Sequence, residues 1–265
     1  MRLVLLLLCL ASWQAVSAEE VGARTKGTIY TYWGWNRGFY SNSDIHFKGD
    51  GYDFTLNDVE AFDRPTKFGI DPYFNPTGIT LPQTNFKVGY FIDDNLSLSF
   101  GVDHMKYVMD NNQTVHRQGT IATGGKFDGT YDGDVDLSDK EFLMYEHTDG
   151  LNYVNLEINK FKHLMHLYNE NLNLSYLVGA GVGFLYPKSN VTLMENTKHD
   201  DFNVAGYGAN VKVGLNLAYD RLFLQSEYKF GYVNMQNIRT TENSADSASQ
   251  HFTFQEINIL IGYYF

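Results

Sequence analysis

Cysteine is almost missing from this chain: Cys9 is the only one, and it lies inside an apolar leader. A chain that has shed that leader has no thiol, no disulfide and no cysteine-based metal site, so packing and hydrogen bonds must hold it together. The residue before Cys9 is Leu8, which is not small, so a lipoprotein cleavage site is not expected. Proline is scarce, at 5 residues. Long apolar runs are missing too. Past the leader, no segment stays apolar for the ~20 residues that a spanning helix needs. With a mean hydropathy of -0.31 and 43% hydrophobic residues, the chain is too polar for a helical membrane protein. Basic excess is absent as well. The net charge of -11 disfavours nucleic acid as a partner and supplies no basic anchor for an anionic lipid surface.

The leader itself reads Met1-Arg2, an apolar run from Leu3 to Ala11, and Val16-Ser17-Ala18 before Glu19-Glu20. A positive start, a short apolar segment and a small-x-small exit are the marks of a secretory signal, with cleavage expected after Ala18. Residues 1–18 are therefore read as signal, 19–26 as a short polar lead and 27–265 as one domain. That domain is rich in what a β-barrel wall uses: 24 Gly, 19 Tyr, 19 Phe and 3 Trp. Aromatic residues gather at the two interfaces of such a wall, and glycines relieve crowding inside it.

Period-2 alternation predicts eight strands. The first, near Thr28 to Asn36, is aromatic on both faces, which leaves its register open. The second, Gln83 to Ile92, sets Phe86, Val88, Tyr90 and Ile92 against Lys87 and Gly89. The third, Leu96 to Val108, sets Leu96, Leu98, Phe100 and Val102 against Ser97, Ser99, Gly101 and Asp103. The fourth, Leu151 to Phe161, opposes Val154, Leu156 and Ile158 to Tyr153, Asn155, Glu157 and Asn159, then loses alternation at Lys160 to His163, where a bulge or a longer turn is expected. The fifth, Leu172 to Leu185, and the sixth, Phe202 to Ala218, alternate apolar residues with Gly, Asn and Lys212; Ala205 is placed on the apolar face. The seventh, Leu222 to Asn234, sets Leu222, Leu224, Tyr228, Phe230 and Tyr232 against Gln225, Glu227, Lys229 and Gly231. The eighth starts near His251 and carries Ile257, Ile259, Ile261, Tyr263 and Phe265 on one face.

Links between these strands are alternately short and long. Asp93 to Asn95 and Tyr219 to Arg221 are short, whereas 37–82, 109–150, 186–201 and 235–250 are long and polar. Short inner turns and long outer loops are the pattern of a membrane barrel. The fold expected is all-β: an eight-stranded antiparallel transmembrane β-barrel with long external loops. A ten-stranded version would insert a hairpin from Ser43 to Val59 into the wall. Lys48, Asp50 and Asp53 are poor company for lipid, so that hairpin is placed in the first external loop. A secreted soluble sandwich is the competing reading, and it would leave too much apolar surface exposed.

Charged residues on the inward faces are Lys87, Asp103, Glu157, Lys212, Glu227, Lys229 and Glu256. Charges buried in a narrow lumen must pair, which predicts a salt-bridged plug; a narrow ion path is the sharper alternative. Catalysis at the outer rim would draw on Ser43, His46, Asp103 and His104, if tertiary structure brought them together. Asp132, Asp134 and Asp136 form an acidic run that fails the calcium-loop template, because Leu137 and Leu143 stand where Gly and Glu would be required. A solvated acidic loop is the plainer reading. His163 and His166 read as interfacial, and Trp33 and Trp35 as interface anchors. No cofactor is expected.

Two stretches, YWGWNRGFYSNSDIHFKGDGYDFTL at 32–56 and GAGVGFLYPKSNVTL at 179–193 followed by DDFNVAGYG at 200–208, resemble a family of uncharacterised bacterial outer-membrane β-barrel proteins. The architecture resembles small barrels such as the transmembrane domain of outer-membrane protein A, without that protein's periplasmic domain. The final strand resembles the terminal strand of outer-membrane barrels, which implies that Ile261, Tyr263 and Phe265 act as an assembly signal for the barrel assembly machinery. The resemblance carries no catalytic residue. It implies an outer-membrane location, contact with outer-membrane lipid and lipopolysaccharide, and a structural or surface-binding role for the loops at 37–82 and 109–150 toward an extracellular ligand. The rival is a lipid A-modifying esterase or acyltransferase at the outer rim; a pore is third.

Overall fold

The computed structural model describes residues 24–65, 83–168, 171–194 and 199–265. The signal reading and most of the lead fall on residues 1–23, outside the described residues. In chain order the strands are β1 (Ile29–Tyr40), β2 (Ser43–Gly49), β3 (Tyr52–Val59), β4 (Ala61–Phe62), β5 (Thr84–Asp93), β6 (Leu96–Met109), β7 (Thr114–Ile121) and β8 (Gly129–Asp136). They continue as β9 (Leu143–His166), β10 (Leu172–Leu185), β11 (Lys188–Leu193), β12 (His199–Phe202), β13 (Gly206–Tyr219), β14 (Leu222–Arg239) and β15 (Ser247–Tyr264).

Eight of these close into a ring in the order β1-β5-β6-β9-β10-β13-β14-β15, and β15 returns to pair β1 from Tyr30↔Tyr264 to Tyr40↔Phe254. All ring pairings are antiparallel. Closure leaves no free edge in the ring, so every backbone group there can find a neighbour without water.

The alternation read from sequence becomes the two faces of this wall. Phe86, Val88, Tyr90, Leu98, Phe100, Leu156, Ile158, Val211, Val213, Leu215, Leu224, Ile257, Ile259 and Ile261 stand exposed on the outside, between 37% and 59% accessible. Lys87, Ser97, Ser99, Asn155, Glu157, Asn216, Glu256 and Asn258 are buried inside. In β1 the ambiguity resolves: Tyr30 and Tyr32 point inward, while Trp33 and Trp35 share the outer face with ring centroids 4.7 Å apart. Gly89 and Gly262 are required for a steric reason. The rings of Tyr30 and Phe223 lie directly over them, where a Cβ would collide.

Several boundaries differ from the sequence reading. β1 runs on to Tyr40, β9 begins at Leu143 and β15 at Ser247, because these strands continue above the apolar band into a second layer of sheet. β13 begins at Gly206, and Ala205, expected on the outer face, is buried 1% accessible where the chain bends. β9 does not end near Phe161. It carries a bulge at Leu164, where pairing steps from Ser175↔His163 to Leu174↔Met165, and then continues to His166.

The described parts of the long links carry strands. The hairpin of β2 and β3 stands outside the ring, as the sequence suggested, but it is not isolated. β2 pairs with the upper end of β15 from Ile45↔Gln250 to Lys48↔Ser247, taking over where β1 leaves off. β3 then pairs with β7, and β7 with β8. On the other side β11 pairs β9 and β12. Alternation within TVHRQGTI and GTYDGDVD was the available signal for β7 and β8.

Candidate functional site

Inside, the barrel is stacked in three layers. At the short-turn end lies an aromatic floor of Tyr30, Tyr32, Phe91, Phe161, Phe223 and Tyr264, with Leu177, Ala218 and Leu260. Arg24 closes this floor: its guanidinium lies 5.1 Å from the Phe161 ring and donates to Ser175 Oγ at 2.6 Å.

The middle layer contains all seven inward charges. Lys87 Nζ lies 2.8 Å from Glu157 Oε1 and 3.5 Å from Asp103 Oδ1. Lys212 Nζ lies 2.8 Å from Glu157 Oε2 and 2.7 Å from Glu227 Oε1. Lys229 Nζ contacts Asp103, Glu157 at 3.0 Å and Glu256 at 3.7 Å. Glu157 thus meets all three lysines. A neutral rim that the sequence reading did not single out completes the network. Asn155 donates to Asp103 Oδ2 at 2.9 Å, Asn210 to Glu157 Oε1 at 3.2 Å, Gln225 to Glu227 Oε1 at 2.7 Å and Asn85 to Glu256 Oε1 at 3.1 Å. These residues were legible as inward positions; which charge each one serves depends on strand register.

Above the charges, a large apolar core fills the upper lumen and the extension. It includes Ile45, Phe47, Phe54, Leu56, Met105, Tyr107, Phe142, Tyr145, Leu151, Val191, Met235, Phe252 and Phe254. The extension is therefore a folded cap. The charged layer lies between two apolar layers, an arrangement unsuited to a water-filled path.

The rim candidates for catalysis do not form one constellation. Ser43 Oγ is buried, 3.4 Å from the Tyr107 hydroxyl and from Gln250 Oε1. His46 points to the opposite face of β2 and bonds Asp53 at 2.7 Å. Asp103 belongs to the charge layer. His104 Nδ1 lies 2.7 Å from Asn152 Oδ1. Asp132 and Asp134 stand exposed on β8, with His116 nitrogens at 3.0 and 3.8 Å, and Asp136 accepts the Ser138 amide at 2.9 Å. Among the described residues no group of three or more His, Cys, Asp or Glu is placed to hold a metal. Ile261, Tyr263 and Phe265 lie on the outer face, the last two with rings 5.2 Å apart.

A closed ring of antiparallel strands, apolar outside and filled inside, decides the class. The chain is an eight-stranded transmembrane β-barrel. No family model matches it, and no curated protein does. Solved structures with a similar course include OprG of Pseudomonas aeruginosa, at 9% identity and a TM-score of 0.41, over 93% of this chain and 99% of that one. Another is Ail of Yersinia pestis in complex with the heparin analogue sucrose octasulfate, at 11% identity and a TM-score of 0.33, over 91% and 99%. Neisserial surface protein A matches at 11% identity and a TM-score of 0.38, over 89% and 97%.

One histidine beside the cap is fully buried in the fold, although the same imidazole would titrate in a physiologically relevant range when unfolded. His147, above the apolar band, is fully buried between the Tyr107 and Tyr145 rings, with Nε2 3.3 Å from the Tyr145 hydroxyl. Burial lowers its pKa to about 3. The unfolded imidazole titrates near about 6.5, so the unfolded cap takes up a proton first as pH falls. Cap stability is complete above that value and declines between it and the folded pKa, by about 2 kcal/mol at about pH 5. Amide exchange in β2, β3 and β7, corrected for intrinsic rates, is expected to speed up at that pH. His147→Phe should flatten the dependence; an identical slope in the variant would exclude His147 as its source.

Proposed function

We propose that this barrel resides in a bacterial outer membrane and works there as a structural or surface-binding protein through its cap. The observation that carries this reading is the cap itself: β2, β3, β7 and β8 extend the wall as ordered sheet around an apolar core. A lumen plugged by paired charges suits a rigid support, and an ordered projecting sheet suits recognition better than a mobile loop would. In this reading the leader is cleaved after Ala18, and Ile261, Tyr263 and Phe265 present the outward strand face to the assembly machinery. Outer-membrane lipid and lipopolysaccharide surround the apolar band. The seven lumen charges serve as the stiffening plug.

The test is to replace the β7–β8 hairpin by a short turn and display the variant on cells. Unaltered gel mobility of the folded barrel with lost binding of the cells to arrays of glycans and extracellular-matrix proteins is the expected result. Lipid A mass spectra from cells with and without the parent protein supply the opposing outcome. A lost or moved acyl chain, with array binding unchanged by the replacement, would overturn the proposal in favour of a lipid A-modifying enzyme.

A further inference from the structure

Among the described residues, the sheet of the cap ends in a strand that pairs on one side alone. β8 pairs with β7 on one side, from Asp136↔Thr114 to Gly129↔Ile121 without a register break, and with no other strand among the described residues. The phase of its hydrogen bonds is known. Leu137 N donates to Gln113 O at 3.0 Å, so pairs two residues apart from 113 and 137 exchange the ladder bonds with β7. Thr130, Asp132 and Asp134 therefore direct their backbone N–H and C=O groups away from β7, toward the open side.

Exposed edges of this kind are ordinarily blunted by charged side chains, lysine above all, by proline or by a bulge. β8, GTYDGDVD, has no lysine, proline or bulge, and its charges are Asp132, Asp134 and Asp136. One of its faces is anchored: Tyr131 and Val135 pack against the cap core, and the Arg117 guanidinium sits 3.3 Å from the Tyr131 ring centroid. The other face presents Asp132 and Asp134, with side chains 76% and 79% accessible.

Charge selects the occupant. A second copy of β8 would bring aspartates opposite aspartates, which is unfavourable across strands, and each whole chain carries -11. An extended segment with lysine or arginine at alternate positions would instead oppose that row with opposite charge while its backbone completes the ladder. We propose that β8 is a docking edge to which a partner protein adds a basic, alternating segment as a further antiparallel or parallel strand. This rests on the surface-binding reading and names the partner's chemistry.

The test uses the full barrel in lipid nanodiscs. The probes are a peptide alternating lysine with valine, the same peptide with every backbone nitrogen methylated, and a glutamate-valine counterpart. Binding is read by fluorescence anisotropy and by exchange of the Asp132 and Asp134 amides. The lysine peptide alone should bind, and it should protect those amides. Asp134→Pro removes an edge donor that the β7 ladder does not use, and should weaken binding by about tenfold or more with the barrel intact. Should proline cost the hairpin its fold, Asp132→Lys with Asp134→Lys is the second variant, and it should transfer preference to the glutamate peptide. Equal binding of the N-methylated peptide, no binding of the lysine peptide, or self-association through β8 would each overturn the proposal. If one of these occurs while hairpin replacement still abolishes cell-surface binding, the surface-binding reading stands and only the docking edge falls.

Discussion

Lys229→Met is expected to destabilise the barrel by about 3–5 kcal/mol, the usual cost of removing one partner from a buried ionic cluster. Lys229 is fully buried and, among the described residues, is the only lysine that contacts Asp103, Glu157 and Glu256 together. Methionine would fill much of the same space, so the loss is electrostatic rather than a cavity. Glu157 would keep Lys87 and Lys212, and Asp103 would keep Lys87 at 3.5 Å. Glu256 would lose its lysine and retain the Asn85 amide at 3.1 Å. Adding Glu256→Gln to Lys229→Met should therefore recover a substantial part of the loss. Urea titration of the folded fraction in vesicles, read by gel mobility, measures both. A single variant within about 1 kcal/mol of the parent would mean that water or rearrangement already satisfies these carboxylates, and the plug would not be what stiffens the wall.

Phe54→Ala is expected to open the cap and leave the barrel closed. Phe54 is 1% accessible and lies among Phe47, Tyr52 and Phe142, with ring centroids 5.2, 6.1 and 5.9 Å away. Removing a buried phenylalanine costs about 3–5 kcal/mol. That cost falls on β2, β3 and β7, which lie outside the closed ring and share no part of the charge layer. Stability is held in local units, so the cap should lose amide protection while β13, β14 and β15 keep theirs. Simultaneous loss of protection in all of these strands would show the cap and barrel to be one cooperative unit.

How much was legible in the sequence varied with the kind of strand. Inside the apolar band, lipid and lumen impose opposite demands on successive residues, so period-2 alternation was strong; the fifth strand was bounded at Leu172 and Leu185, where the structure has it. Beyond the band that contrast weakens. Asp132, Asp134 and Asp136 alternate with Tyr131, Gly133 and Val135, yet the same residues read equally well as a solvated acidic loop. The charge layer was legible as a set of inward residues, because parity alone places them. The rim residues were legible only as residue types. Ser43 and His46 lie three positions apart on one strand, which puts their side chains on opposite faces, and a bulge between Ser43 and Ile45 shifts the register further.

The amino-acid sequence by itself determined which face of the wall strands after the first meets lipid and which charges enter the lumen, and it favoured eight wall strands over ten. These follow from local alternation and link length, which each segment carries on its own. Tertiary structure alone decided that Glu157 would meet three lysines, that the cap would fold around its own apolar core, and that β8 would pair with β7 alone among the described residues. Those outcomes depend on register between strands far apart in the chain, and register is set only when the ring closes and distant side chains pack together.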